Sequence, residues 1–332
     1  MKKVSVIIPT YNRLSIFKKC LQSILEQTYN TENYEIVIVD DCSSDDTNSY
    51  CENIIKRYSN IKYIRNESNQ GRVITRNNGI LASTGEILIY LDNDNVVSSE
   101  FINAHYNMHQ SFGHKHIAVL GNICYDPVEL KKSNFGRFIQ SRAIGYRSRR
   151  DMKGIDLNNL NPKFFAGGNS SVRKEDAVKI GLFDGDFKRY GGEDESFGYS
   201  LNQHGIRLVY AEDAKSVHYD NNIGPSYWKI KFIETGRYGI KVIMNKNSEY
   251  ITKTNVKYIM PVSFKDDNIK DIIVKISLKI IMSKIFIKLL EFYAFKTDKF
   301  SVFYLPLIFR ILTASWVRKG FVNAHDIELV KY

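Results

Sequence analysis

Apolar residues in this chain follow two rhythms. "VSVII" (4–8), "EIVIVD" (35–40) and "EILIYLD" (86–92) are continuous and rich in β-branched residues, the pattern of strands covered on both faces. "IKYIRN" (61–66) reads as another strand. Between them the period becomes helical. Leu14, Phe17, Leu21, Ile24 and Leu25 recur on one face from Leu14 to Gln27, and "GRVITRNNGILAST" reads as a helix. Ser44 is placed to cap a helix in "DDTNSYCENIIKRY", with Asp45 and Asp46 favourable in its first turn. The order βαβαβαβ predicts an α/β fold with a parallel sheet and helices on both faces.

The pattern then loosens. "HIAVLGNICY" (116–125) reads as a strand, and residues 126–162 are polar, basic and weakly periodic. Order returns at "KFFAGGNSSV", a short helix near "RKEDAVKI", and two short strands, "IRLVYA" and "SVHY". From about Tyr227 helical apolar patterns dominate. The expected division is a catalytic domain over 1–225 and a helical region over 226–332 that serves packing, oligomerisation or peripheral membrane contact. In "DIIVKISLKIIMSKIFIKLLEFYAF" (271–295), Lys275 and Lys279 share one helix face while Lys284 and Lys288 fall roughly opposite, so a break near Ser283 or two short helices is predicted. Pro306 and Arg310 interrupt the next apolar stretch, and neither segment reads as a membrane span.

A length of 332 residues suits a large domain with an appendage, or two domains. The net charge of +11 favours anionic partners. Four cysteines without C-x-x-C spacing exclude a zinc ribbon or redox dithiol and suit a reducing, cytoplasmic compartment. Pro9 and Arg13 cut the first apolar run short of the roughly 7–15 residues of a signal-peptide core.

Ligands of open α/β sheets bind outside the carboxyl ends of the strands. Asp40 and Asp41 end the second strand, and Asp92 and Asp94 follow the fourth, so both acidic pairs are expected on one rim. Carboxylates at i and i+2 on a turn suit Mg2+ or Mn2+ shared with substrate phosphates; a solvated Asx-rich turn is the plainer alternative. A calcium loop fails, because Val96 and Val97 stand at its fifth and sixth positions. In "GGEDESFG" (191–198), Glu193, Asp194 and Glu195 open a helix, either complementing its dipole or supplying a general base. His218 ends a strand and suits either a structural role or a third metal ligand. Arg72 and Arg76 share a helix face near its N-terminus, where a diphosphate or plain solvent would suit them. His105 and His109 have i, i+4 spacing, but Tyr106 stands where H-E-x-x-H needs Glu. The stretch "FIQSRAIGYRSRRDMKG" (138–154) is a candidate lid or acceptor-contacting loop.

Taken together, "VSVIIPTYNR", "EIVIVDDCSSDDT", "NQGRVITRNNGILASTGEILIYLDND" and "GGNSSVRKEDAVKIGLFDGDFKRYGGEDESFG" resemble the family 2 inverting, nucleotide-sugar-dependent glycosyltransferases, over about residues 3–220. The last block is similar to the region shared by galactosyltransferases and chondroitin-type polymerases. The resemblance implies a GT-A fold, a divalent cation (Mn2+ or Mg2+) and a UDP-sugar donor. It implies that Pro9, Thr10, Tyr11 and Arg13 line the nucleotide pocket, that Asp40 binds uracil, and that Arg72 and Arg76 face the donor. It puts Asp92 near the ribose and metal shell and makes Asp94 a metal ligand. Asp194 becomes the base, Glu193 an acceptor-holding residue, and His218 a third metal ligand. The implied acceptor is a hydroxyl of a glycan, a lipid-linked oligosaccharide or a protein, in cell-surface polysaccharide synthesis.

Two rivals differ in class. A sugar nucleotidyltransferase would carry a Gly-rich loop after the first strand, and "PTYNRLSIF" has no glycine. A basic glycan- or nucleic-acid-binding protein would suit the charge, but the arginine-rich stretch has few aromatics for base stacking, so no nucleic acid is expected. The lysine-spaced C-terminal helices make an anionic membrane or a second copy of the chain further candidate partners, which would put the protein peripherally on the cytoplasmic membrane face.

Overall fold

The computed structural model describes residues 3–113, 115–142, 154–219, 223–246 and 254–322. They form two compact units. The first takes Met1–Pro127, Gln140–Lys188 and Glu193–Asp220; the second takes Val128–Ile139, Arg189–Gly192 and Asn221–Tyr332. This division is not linear in sequence, unlike the single boundary near 225 read from pattern.

The first unit is built on one sheet. Its strands are β1 (Val4–Thr10), β2 (Tyr34–Asp40), β3 (Ile61–Arg65), β4 (Ile87–Leu91), β5 (Asn95–Val97), β6 (Ile117–Tyr125), β7 (Asn169–Arg173) and β8 (Arg207–His218), in spatial order β3-β2-β1-β4-β7-β6-β8-β5. The β3-β2-β1-β4 half is parallel throughout, as the alternating pattern predicts. β7 then inserts antiparallel between β4 and β6. Helices α1 (Leu14–Leu25), α2 (Thr47–Ile54), α3 (Arg72–Ala82) and α4 (Phe101–Ser111) link the early strands. Phe17, Leu21 and Ile24 of α1 lie in the same buried core as Val6, Ile8, Ile36, Ile38 and Ile89. Burying β-branched strand residues against such a helix removes apolar surface on both elements, at ~25 cal/mol per Å2.

Two local expectations change. Ser44 does not cap α2: its N–H donates to Asn12, and the carboxylate of Asp45 accepts from the Thr47 N–H and hydroxyl instead. A carboxylate two residues ahead of Thr47 reaches its amide in an Asx turn, whereas Ser44 is engaged elsewhere. "IRLVYA" and "SVHY" are not two strands but the ends of β8, which runs unbroken through "EDAK". β8 pairs parallel with β6, and the register jumps between Gly121 and Asn122, from Ala211 to Lys215. A bulge absorbs the extra residues and keeps the strand continuous. A side chain at Gly121 would collide with Asn169, whose amide donates to Ala214 and Ser216 of β8.

Among the described residues the remaining helices are α5 (Pro127–Lys131), α6 (Asn134–Arg142), α7 (Lys174–Lys179), α8 (Glu193–Gln203), α9 (Pro225–Glu234), α10 (Ile240–Lys246), α11 (Ile269–Ile281), α12 (Lys284–Thr297) and α13 (Pro306–Val322). The break expected near Ser283 lies between α11 and α12. In the second unit Phe135, Phe138, Ile287, Phe309, Leu312 and Trp316 form a separate core. The Trp316 indole donates to Glu291 at 2.7 Å.

Candidate active site

The carboxyl ends of β1, β2 and β4 open onto one rim, and each strand delivers its polar residues there by register. Thr10 pairs with Asp40, and Asp40 with Arg65. After Thr10 the chain turns sharply: Asn12 and Arg13 both take left-handed backbone conformations, at φ 54° and 63°. Asn12 earns that conformation through its side chain, which accepts from the amides of Ser44 and Asp45. The turn swings Arg13 across the rim, where its Nη1 meets Asp94 Oδ2 at 2.9 Å.

Asp40 has no accessible surface. One oxygen accepts from the Ser43 N–H and hydroxyl, the other from the Tyr63 hydroxyl at 2.9 Å and Arg65 Nη1 at 3.2 Å. Asp41 accepts from the amides of Gln70 and Gly71, shaping the entry to α3. Pro9 lies in β1 and Tyr11 is exposed just beyond it.

Arg76 lies at the centre of this cleft. It is fully buried on α3, its guanidinium 4.8 Å from the centre of the Phe183 ring. Nη2 donates to Asp92 Oδ1 and Nη1 to Asp194 Oδ1, both at 3.0 Å. One turn earlier, Arg72 meets Glu193 Oε1 at 3.0 Å. A buried charge needs such pairing, since its desolvation would otherwise cost several kcal/mol. Thus the i, i+4 arginines of α3 hold the start of α8 against the turn after β4. The Asp194 side chain keeps about 30% exposure. Desolvation in the cleft pushes its carboxyl up to about 6; Arg76 opposes the rise, Glu193 adds to it, and Arg72 and Asp92 have smaller effects of opposite sign.

The turn after β4 is held at several points. Asn93 donates to the Thr10 hydroxyl at 2.9 Å, Asn95 to the Gly168 carbonyl at 3.1 Å, and Cys20 Sγ contacts the Asp92 carbonyl at 3.6 Å. Burial, with the nearby negative charge of Asp94 and Asp92, raises the Cys20 thiol well above its usual range, so it stays protonated. Asn95 of β5 pairs with His218 of β8, and His218 Nε2 stands 3.1 Å from Asp94 Oδ1. The imidazole packs edge-on against Tyr125, its register partner on β6.

Asp94 and His218 therefore converge, whereas Asp92 is turned to Arg76. Among the described residues, no group of three or more His, Cys, Asp or Glu side chains is gathered as a metal cage. The pair offers one carboxylate oxygen and one imidazole nitrogen, 3.1 Å apart. Cis ligands of an octahedron with bonds of about 2.1 Å lie about 3 Å apart, and an ordinary hydrogen-bonded ion pair has the same separation. The carboxylate oxygen suits Mn2+ or Mg2+, whereas imidazole is a donor for transition metals.

His105 and His109 are fully buried on α4 and serve β7. His105 bonds Ser171 and Asn169, and His109 bonds the same Ser171 hydroxyl, all at 2.9 Å. Burial lowers their pKa values to about 4 and about 3, so both are neutral near pH 7. Gly167 and Gly168 were not singled out by pattern. A Cβ on Gly167 would lie 2.5 Å from Arg76 Nη1 and 2.7 Å from Asp194 Oδ1; one on Gly168 would lie 2.8 Å from Asp92 Oδ2. The adjacent glycines in "AGGN" were the available signal, without an indication of what approached them. Most of the arginine-rich stretch, with Arg147, Arg149, Arg150 and Lys153, lies outside the described residues.

Comparison with known proteins accords with this architecture. Residues 5–181 match the profile described as Glycosyl transferase family 2. The chain is 30% identical over 194 residues to the GalNAc(5)-diNAcBac-PP-undecaprenol β-1,3-glucosyltransferase of Campylobacter jejuni, covering 58% of each protein. The fold is similar to a mannosyltransferase from Pyrobaculum calidifontis solved with GDP-Man and Mn2+ (TM-score 0.60, 17% identity, 96% of this chain and 86% of that one). It is also similar to Staphylococcus aureus TarS 1–349 with UDP-GlcNAc (TM-score 0.53, 15% identity, 97% of this chain and 91% of that one).

Proposed function

The chain belongs to glycosyl transferase family 2, and from that premise we propose that it moves a sugar from a UDP-sugar to an acceptor hydroxyl with inversion. The observation that carries this reading is the single buried guanidinium of Arg76, which holds Asp92 and Asp194 in one cleft, 3.0 Å from each. Inverting transfer needs a charge-stabilising site for the departing diphosphate and a base for the incoming hydroxyl. The relatives favour a transferase over a nucleotidyltransferase or a binding protein.

In this reading Thr10, Tyr11 and Arg13 border the nucleotide, with Pro9 setting the strand end. Asp40 meets the base once the imide N–H replaces Arg65, its longest hydrogen bond. Asp94 and His218 would hold Mn2+ or Mg2+, with Asp92 beside the ribose and the metal shell. When bound, the cation neutralises charge on the leaving diphosphate. Arg72, partly exposed on α3, faces the donor phosphates, whereas Arg76 has no accessible surface and acts through Asp92 and Asp194 rather than on the donor. Asp194 takes the acceptor proton, and Glu193, steered by Arg72, holds the acceptor. An acceptor on a glycan or a lipid-linked oligosaccharide is supported by the Campylobacter relative's name.

Two substitutions separate these roles. Asp194→Asn should cut transfer or donor hydrolysis by about 10^2–10^4 and leave UDP binding with Mn2+ nearly intact by calorimetry. Asp94→Ala should lose both activity and metal-dependent UDP binding. Equal loss of UDP binding in the two variants would overturn the assignment. A panel of UDP-sugars screened for hydrolysis would identify the donor.

A further inference from the structure

We propose that the second unit docks on an anionic lipid bilayer through the outward face of α11, with α12 as a second apolar contact. This rests on the C-terminal helices alone and does not depend on the glycosyl-transfer reading.

α11 is amphipathic in the inverted sense. Ile269, Ile273, Ile276 and Ile280 lie within about 60° of one another at 100° per residue, and all are exposed, Ile269 at 78% and Ile280 at 69%. The opposite face carries the charges inward. Lys275 is buried and bonds Asp267 at 2.6 Å, while Asp271, also buried, receives Lys257 at 3.0 Å. A water-facing helix normally shows the reverse arrangement. α12 is apolar on both sides: Ile287 and Ala294 are buried, whereas Ile285, Leu289 and Phe292 are exposed, Ile285 at 78%.

Charge selects the occupant. No Asp or Glu occurs between Asp271 and Glu291. Lys270 and Lys279 lie roughly 90° to either side of the isoleucine stripe, and both are exposed. Lys284 and Lys288 are exposed on α12. An apolar stripe flanked by lysines is the arrangement of a helix lying in a headgroup layer, with the stems snorkelling to phosphates. A two-fold interface would bring the same patch from each copy together, lysine against lysine, and lysine is depleted from protein interfaces. Among the described residues no helix is long and apolar enough to cross a membrane, so contact would be peripheral.

The test is vesicle flotation of the full chain with phosphatidylglycerol-containing and pure phosphatidylcholine liposomes. Binding is expected to the anionic vesicles, to weaken in high salt, and to be much weaker on the neutral ones. Replacing all four isoleucines of the stripe by Gln should weaken binding at least tenfold, and removing each of Lys270, Lys279, Lys284 and Lys288 roughly fivefold. Unchanged circular dichroism and an unchanged urea midpoint would show that the fold survives either set of substitutions. Equal binding by the isoleucine variant and wild type would overturn the proposal. So would absence of binding by wild type, or a concentration-dependent dimer that the isoleucine variant abolishes without any vesicle binding.

Discussion

Arg76 carries its charge with no accessible surface and divides it between Asp92 and Asp194. If Asp194 is the base, as proposed, that arrangement sets the pH response of transfer. With the Asp194 carboxyl pushed up to about 6, its protonated fraction grows as pH falls below 6, and a protonated base cannot accept the acceptor's proton. kcat/KM is therefore expected to lose activity on an acidic limb near pH 6. Arg76 pulls that pKa down, so Arg76→Met should move the limb to higher pH and lower the rate. Arg76→Lys should keep the limb closer to wild type. A limb near pH 4 in all three proteins would remove Asp194 from the role of base. Residues such as Asp92 and Arg76 were visible as acid and base types at helical and turn spacings. Their mutual contact was not, because α3 and the turn after β4 meet only when the sheet assembles.

At the level of elements, glycine decides how closely backbones approach. In the second unit a Cβ on Gly320 of α13 would lie 1.9 Å from the Ile233 carbonyl of α9. One on Gly236, in the π turn Thr235–Gly239 after α9, would lie 2.0 Å from the Val317 carbonyl. These helices therefore cross with their backbones almost touching. Gly320→Ala should destabilise this unit by about 1–3 kcal/mol, the usual range for overpacking, and lower the urea midpoint of its unfolding. An unchanged midpoint would mean that the crossing relaxes freely. Helical period, which is local, foretold α1 and the break between α11 and α12, whereas the cap expected at Ser44 did not form. The single long β8 was read as two strands because "EDAK" is polar, and polarity in sequence does not distinguish a turn from a bulge at a sheet edge.

For the molecule as a whole, ligand linkage offers the broadest check. A chain that binds UDP with Mn2+ in its folded state gains about 2.7 kcal/mol at a ligand concentration 100 times Kd. Thermal scans should show a higher Tm with UDP and Mn2+ together than with either one, and EDTA should erase the gain. A UDP effect that persists in EDTA would argue for metal-free binding. The alternating pattern of β1 to β4 determined the parallel half-sheet and the rim where acids gather, because period and strand polarity are written locally. The motifs in order were enough to place the chain in its family. Only tertiary structure decided that β7 enters antiparallel, that Asp94 turns to His218 while Asp92 turns to Arg76, and that the isoleucines of α11 face outward. Each of these depends on which surfaces meet after collapse, and local pattern carries no mark of that meeting, whether the partners are 16 positions apart, as Arg76 and Asp92 are, or as distant as Asp94 and His218.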